Sequence, residues 1–428
     1  MRVYPSTTSK SADHNPGIQY PELAFGAQYG FASIGTNNGH NGTSGGAFFH
    51  QPDVLEDFAG RAILAGTQVG KSITKQFYGA DLGRSYYLGC STGGRQGFRA
   101  VQKYPELFDG VVAGAPVLKQ WGHAAYFGYV KQVLGLNSSS ITPAQWSAVQ
   151  SEVFRQCDDL DGAKDGILEN PDSCTLDWTP LLCKYNDTAV CFTDSQAVTA
   201  AKLFEPMIYN GTFLGPSQNH GFEPLMIASL YSPLVSSWVP EIMRYMVYED
   251  LSWDPATFTL QDILKGIEKD NFDLSTFEGN ISAFRDRGGK VLHWHGGADQ
   301  LITMRTSNLY YETVRSALNA SVAELDQFYR YFRASGVNHC SGGPGASFMG
   351  QIGGTVGGVD PADNLLLSIV QWVELGIAPE YIRGTKFIND TRSLGVQYRR
   401  KHCKYPKTNK YTANGDGFDE EGWQCVEP

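Results

Sequence analysis

No apolar run in this sequence reaches the roughly 20 residues that a membrane-spanning helix needs, which removes bilayer-spanning proteins from consideration. Basic charge is in deficit. Against 44 Asp and Glu stand 34 Lys and Arg, a formal net charge of −10, so neither a nucleic acid nor an anionic membrane surface would find a basic footprint here. No cysteine pair has the C-x-x-C spacing of a zinc site, which leaves disulfides as the better reading of the eight cysteines. The opening residues Met1-Arg2-Val3-Tyr4-Pro5-Ser6 are polar and lack the apolar core of a signal peptide. The expectation is that a leader was removed or that the chain is a fragment of something longer. Internal repeats and low-complexity tracts are also missing.

What is present points to a folded, exported protein. Hydrophobic content of 42% with 12% aromatics is ample for a packed core, so disorder is not the expectation. A length of 428 residues suits two or three domains, or one large α/β domain carrying an insertion. N-x-S/T sequons occur at Asn41, Asn137, Asn186, Asn210, Asn280, Asn319 and Asn389. Together with paired cysteines they favour a secreted glycoprotein, though each sequon alone means little.

One stretch organises the rest. In Ser85-Tyr86-Tyr87-Leu88-Gly89-Cys90-Ser91-Thr92-Gly93-Gly94-Arg95 a strand-forming run ends on glycine, a serine lies between Gly89 and Gly93, and a helix-forming segment runs on through Tyr104. This is G-x-S-x-G with a strand before it and a helix behind it, the setting that a nucleophilic serine on a tight turn requires. The helix N-terminus would aim backbone N–H groups at a developing oxyanion. The bland alternative is a Gly/Ser-rich loop joining two core elements.

Around that stretch the chain alternates. Residues 1–20 read as loop, and Phe25 to Thr36 as a weak strand. Val54 to Phe77 carries a helical apolar face, and Gly110 to Pro116 is a buried strand. Helix–strand alternation of this kind implies a parallel sheet covered on both faces. The pattern lapses over residues 119–286, which read as an inserted cap, and resumes at Lys290–Gln300. A helix over 303–318, a strand over 327–332, a helix over 361–375 and a polar tail follow. The expected division is a catalytic α/β domain from 1–118 and 287–428, with 119–286 as a lid.

A serine nucleophile needs a base, and the base an orienting carboxylate; α/β-hydrolases supply them in the order Ser, acid, His. Asp299 follows an apolar run and a Gly-Gly turn, where a sheet would deliver an acid to its top edge; its other reading is a turn aspartate capping the next helix. Only His339 and His402 follow Asp299. His339, in a glycine-rich loop after a strand, is the better base, and His402 reads as a surface residue of the tail. His293 and His295 read as core or pocket-lining groups.

Cys90 precedes Ser91 and Cys340 follows His339. With Thr36-Asn37-Asn38-Gly39-His40, Gly89 to Gly97 and His295-Gly296-Gly297-Ala298-Asp299, this resembles the tannase and feruloyl esterase family over nearly the whole chain. The resemblance implies an α/β-hydrolase fold with a large lid and a triad of Ser91, His339 and Asp299. It further implies a Thr92 N–H in the oxyanion hole and a disulfide between Cys90 and Cys340. Sequence neighbours suggest Cys157–Cys174, Cys183–Cys191 and Cys403–Cys425, although spacing alone cannot choose among the pairings. The implied activity is hydrolysis of feruloyl esters of plant cell-wall polysaccharide by a secreted serine esterase, with galloyl esters of tannins as the alternative. Aromatic residues Tyr231, Trp238, Tyr245 and Trp253 are candidates to stack on a phenolic ring, with core of the cap as the equal alternative. The partners implied are phenolic esters or feruloylated polysaccharide, and the resemblance is compatible with a homodimer. Family members also carry a glycine-rich loop upstream that supplies a second oxyanion donor, and nothing in residues 1–20 matches it. A truncated, inactive phenolic binder is therefore the rival to an active enzyme.

A second site is readable at Cys157-Asp158-Asp159-Leu160-Asp161-Gly162-Ala163-Lys164-Asp165-Gly166-Ile167. Asp158, Asp161 and Asp165 offer hard oxygen donors suited to Ca²⁺, in a spacing that is not an EF-hand. The resemblance adds the carbonyls of Ala163 and Ile167, and the loop's distance in sequence from the triad points to a structural role for the ion. A solvated acidic turn is the alternative.

Overall fold

The computed structural model describes residues 3–5, 18–42, 44–134, 141–185, 188–270 and 272–427. Strands β1 (Val3–Pro5) and β2 (Ala32–Ile34) pair in parallel. Strands β3 (Tyr86–Cys90) and β4 (Gly110–Gly114) follow, then a hairpin of β5 (Met207–Tyr209) and β6 (Thr212–Gly215). β7 (Lys290–Gly296) and β8 (Tyr329–Ala334) complete a parallel sheet in the order β3-β4-β7-β8. β1 lies beside β3, so the β1–β2 pair flanks the sheet on its nucleophile side.

Both faces of the sheet are apolar, as parallel strands between helices require. On one face Tyr86, Leu88, Val112, Leu292, Trp294 and Phe332 pack under the helix Leu365–Leu375. On the other, Tyr87, Val111, Val291 and Tyr329 meet Phe98 of helix Thr92–Lys103 and Tyr310, Tyr311 and Val314 of helix Met304–Ala317. A further core gathers Trp121, Phe127, Trp146, Phe192, Met226, Trp238, Ile242 and Ile263 from within residues 119–286, and it also takes in Phe48 and Phe58.

Three readings of the sequence are corrected. Residues 3–5 form a strand where a loop was expected, and Tyr20–Gln28 is a helix where Phe25 onward reads as strand; Pro21 in its first turn is the N-terminal signal. The tail folds into two antiparallel pairs, β9 (Tyr381–Phe387) with β10 (Val396–Cys403), and β11 (Thr408–Tyr411) with β12 (Trp423–Val426). His402 is accordingly not at the surface: it is 1% exposed in β10 and its Nε2 donates to the Ala346 carbonyl at 3.0 Å.

The asparagines of the sequons at 41, 210, 280, 319 and 389 are all exposed, while those at Asn137 and Asn186 lie outside the described residues. No helix among the described residues is long and apolar enough to cross a membrane.

Candidate active site

The turn after β3 is built by close approach. A Cβ on Gly89 would stand 2.7 Å from the Gly93 carbonyl carbon, and one on Gly94 would stand 2.2 Å from the Gly114 carbonyl oxygen. Only glycine lets the helix start this near the sheet. Ser91, between them, takes φ 65° and ψ −122°, a left-handed conformation that a non-glycine residue holds only when its surroundings enforce it. Its N–H donates to Gly114 O at 3.0 Å, which fixes the turn on β4. Thr92 is the first residue of the following helix, so its N–H has no acceptor inside that helix.

Asp299 and His339 arrive from the ends of β7 and β8. His339 Nδ1 donates to Asp299 Oδ2 at 2.7 Å, and the His339 N–H donates to Gln300 Oε1 at 3.1 Å. Asp299 Oδ1 accepts the N–H groups of Leu301 and Ile302 at 2.9 and 2.8 Å, so the carboxylate is fully engaged. Burial alone would raise the Asp299 pKa, but His339 and His295 hold it well below the usual carboxylate range. With its Nδ1–H committed to Asp299, His339 presents Nε2 as the acceptor. That atom and Ser91 Oγ are both buried and neither has a hydrogen-bond partner. No hydrogen bond closes between them in this state, which is common before substrate binds.

Four disulfides brace these groups and the rest of the chain. The disulfide Cys90–Cys340 joins the residue before Ser91 to the residue after His339, with a Cα–Cα distance of 5.9 Å across 250 residues of sequence. Cys157–Cys174, Cys183–Cys191 and Cys403–Cys425 are paired as well, so no described cysteine is free.

Ser91 and Thr92 open onto a narrow cavity walled by Phe58, His123, Phe127, Trp238, Val239 and Ile242. Of the four aromatics expected to meet a phenolic ring, Trp238 stands in this wall. Trp253 lines a neighbouring cavity of about 340 Å³ that shares Phe127 and Val239. Tyr245 instead packs 6.2 Å from Phe49, and Tyr231 is 55% exposed. His123 was not read from the sequence, because nothing local marks a helix residue as part of a distant site. Its Nε2 donates to the Leu301 carbonyl at 3.2 Å, and burial, reinforced by His339, pushes its pKa down to about 4.

This chain matches the family described as Tannase and feruloyl esterase over residues 5–426. The chain belongs to the tannase and feruloyl esterase family. A probable feruloyl esterase B of Aspergillus clavatus is 46% identical over 414 residues, which cover 96% of this chain and 78% of that protein. The crystal structure of feruloyl esterase B from Aspergillus oryzae superposes with a TM-score of 0.93 at 42% identity, covering 99% of this chain and 84% of that one. Tannin acyl hydrolase from Aspergillus niger shares the fold at a TM-score of 0.80 and 23% identity, covering 100% of this chain and 81% of that one. Within the family's α/β-hydrolase-like fold, the expectation that residues 1–20 hold no second oxyanion donor falls largely on residues 6–17, outside the described residues.

The acidic loop packs behind the loops that carry Asp299 and His339: Gly166, Ile167 and Leu168 line one pocket with Gly297, Ala298 and Gly336, and Ser335 donates to Glu169. Asp158, Asp161 and Asp165 are buried, and their oxygens accept loop N–H groups: Gly166 to Asp158, Ala163 and Glu169 to Asp161, and Ile167 to Asp165. Arg400 from β10 donates to Asp165 Oδ2 at 2.6 Å and also to Glu169. One guanidinium thus serves a neighbourhood of four buried acids. Burial, then Glu169, pushes the Asp161 pKa up to about 7. Burial also raises Asp158 and Asp165, the latter against the pull of Arg400. Among the described residues no three His, Cys, Asp or Glu side chains converge at chelating distance. The donor set is nevertheless of the kind a hard cation takes, four buried carboxyl groups gathered around the one guanidinium of Arg400.

Proposed function

We propose that this chain is a serine carboxylic-ester hydrolase that cleaves feruloyl and related hydroxycinnamoyl esters of plant cell-wall polysaccharide. The carrying observation is the free Ser91 Oγ and the free His339 Nε2, with His339 bonded to Asp299 and the two loops joined by Cys90–Cys340. In this reading His339 takes the Ser91 proton as Oγ attacks the ester carbonyl, and returns it to the leaving alcohol. Asp299 fixes the imidazole tautomer and balances the imidazolium. The Thr92 N–H faces the oxyanion. The apolar, aromatic cavity beside Ser91 suits the ring of a hydroxycinnamoyl group, and the feruloyl esterase B relatives favour that substrate. Galloyl esters are the second reading, favoured only by the family's breadth. Parallel assays on methyl ferulate and methyl gallate test the choice; faster turnover of the gallate would reverse it.

Residues 119–286 act in this reading as a lid on the domain formed by 1–118 and 287–428, since they supply His123, Phe127, Trp238, Val239 and Ile242 to the cavity wall. A structural Ca²⁺ would be held by Asp158, Asp161 and Asp165 with the carbonyls of Ala163 and Ile167, supplying positive charge to a crowded acidic loop. Elemental analysis of purified protein tests it, and a calcium-free, equally stable protein would remove it. Export from the cell is favoured by four disulfides and by exposed sequon asparagines. Glycosidase treatment should shift the mass of protein recovered from culture medium, and sedimentation should decide between a monomer and a homodimer.

A further inference from the structure

The triad acid has a second histidine. His293 and His295 stand two residues apart on β7, so the pleat points both to one face of the sheet, where Ser307 of helix Met304–Ala317 lies between them. His295 Nε2 is 2.9 Å from the Ile302 carbonyl and 3.2 Å from Asp299 Oδ2. A carbonyl only accepts, so that nitrogen carries its hydrogen, donated to Ile302 and shared at 3.2 Å with the same Asp299 oxygen that receives His339. His295 Nδ1 is 2.6 Å from Ser307 Oγ, which is 2.8 Å from His293 Nε2, and His293 Nδ1 is 2.8 Å from the Tyr329 hydroxyl. The hydrogens then run from Tyr329 to His293, from His293 to Ser307 and from Ser307 to His295, whose Nε2–H is shared between the Ile302 carbonyl and Asp299. All four residues are fully buried, and Asp299 is 1% exposed. Burial, then His295, holds the His293 pKa well below its usual value, in keeping with a neutral ring.

We propose that His295, Ser307, His293 and Tyr329 form a buried, one-directional hydrogen-bond relay that positions the Asp299 carboxylate and moderates its pull on His339. The proposal rests on the triad reading given above. None of the four reaches the cavity beside Ser91, so they are positioning residues. A donor on Asp299 Oδ2 draws off part of the charge that stabilises the His339 imidazolium. Without it His339 holds its proton more firmly, and less of the free base is present at neutral pH. The ionisable groups facing His339 are Asp299 and His295 from the end of β7 and His123 from helix Gln120–Leu134. Those facing His295 are Asp299, His293 and, across Ser307, Tyr331 of β8.

The test is the pH profile of kcat/KM on methyl ferulate for His295→Leu, Ser307→Ala and His295→Gln, each normalised by fluorophosphonate labelling of Ser91. His295→Leu and Ser307→Ala should move the acid limb upward by about half a pH unit or more, with KM unchanged and part of the lost kcat recovered at higher pH. His295→Gln, whose amide nitrogen can replace Nε2, should keep the limb near its original place. A merely structural role would lower the labelled fraction without moving the limb. If His295→Leu does not fold, the smaller Ser307→Ala change decides alone. An unmoved limb in a variant that still labels would overturn the relay and leave the triad standing. Absence of labelling in the unmodified protein would instead overturn the triad reading itself.

Discussion

Ser91 earns its conformation from its neighbours: φ 65° on a residue with a side chain persists because Gly89 and Gly94 let β3, β4 and the helix close around it. Ala at position 94 would put a methyl group 2.2 Å from the Gly114 carbonyl oxygen, a backbone atom that cannot swing away. Gly94→Ala should therefore cost about 3 kcal/mol, the upper end for an overpacked site, read by urea unfolding. A stability within error of the parent would show that the turn has slack. Ser91→Ala, His339→Ala and Asp299→Asn test the chemistry. Each should lower kcat by about 10⁴-fold or more with melting temperature nearly unchanged, because the three act as a unit. His402 cannot replace His339, since it is buried in β10 against Ala346. Near-full activity of His339→Ala would mean that another base serves Ser91.

Elements differ in how much of them the sequence reveals. The strand–serine–helix unit was legible because its signals are local: a β-prone run, flanking glycines and a helix-forming segment within twenty residues. β9 to β12 were not, because hairpins with one wet face carry charged residues. Arg400, whose neighbours Arg399 and Lys401 made the stretch look like a polar tail, is in fact 1% exposed. It was hidden for a further reason. Its partners Asp165 and Glu169 lie more than two hundred residues earlier, and nothing local announces a buried ion pair at that separation. Removing the guanidinium by Arg400→Met would strand two buried carboxylates and should cost about 3–5 kcal/mol, measured by thermal or urea unfolding. The acidic loop that Arg400 braces carries the calcium prediction. Chelation should lower the melting temperature of the whole chain, as loss of a ligand bound only by the folded state requires. An identical melt with and without chelator would argue for a solvated acidic turn.

At the scale of the molecule, the centre is assembled from segments that are neighbours only in space, joined by the Cys90–Cys340 bond, and buried imidazoles are spread through the fold around it. Histidines at 123, 293 and 402 all sit where burial disfavours the charged ring: His123 and His402 are pushed down to about 4, and His293 well below its usual value. Each is neutral in the folded chain, while in the unfolded chain each takes up a proton as pH falls below about 6.5. Their contribution to stability is therefore complete above about pH 6.5 and is lost progressively as pH falls toward 4. Asp161 works in the opposite sense. Its pKa, pushed up to about 7 by burial and Glu169, favours the metal-free fold as pH falls, so the two effects partly cancel without a cation. Excess calcium should suppress the Asp161 titration by holding that carboxylate ionised. Melting temperature in excess calcium should then be level from pH 8 to 7 and decline steadily from about pH 6 to 4, with a shallower decline in chelator. A melting temperature that stays flat down to pH 4 in excess calcium would show that these imidazoles accept protons inside the fold, and that their burial is looser than their hydrogen bonds to Leu301, Ser307 and Ala346 indicate.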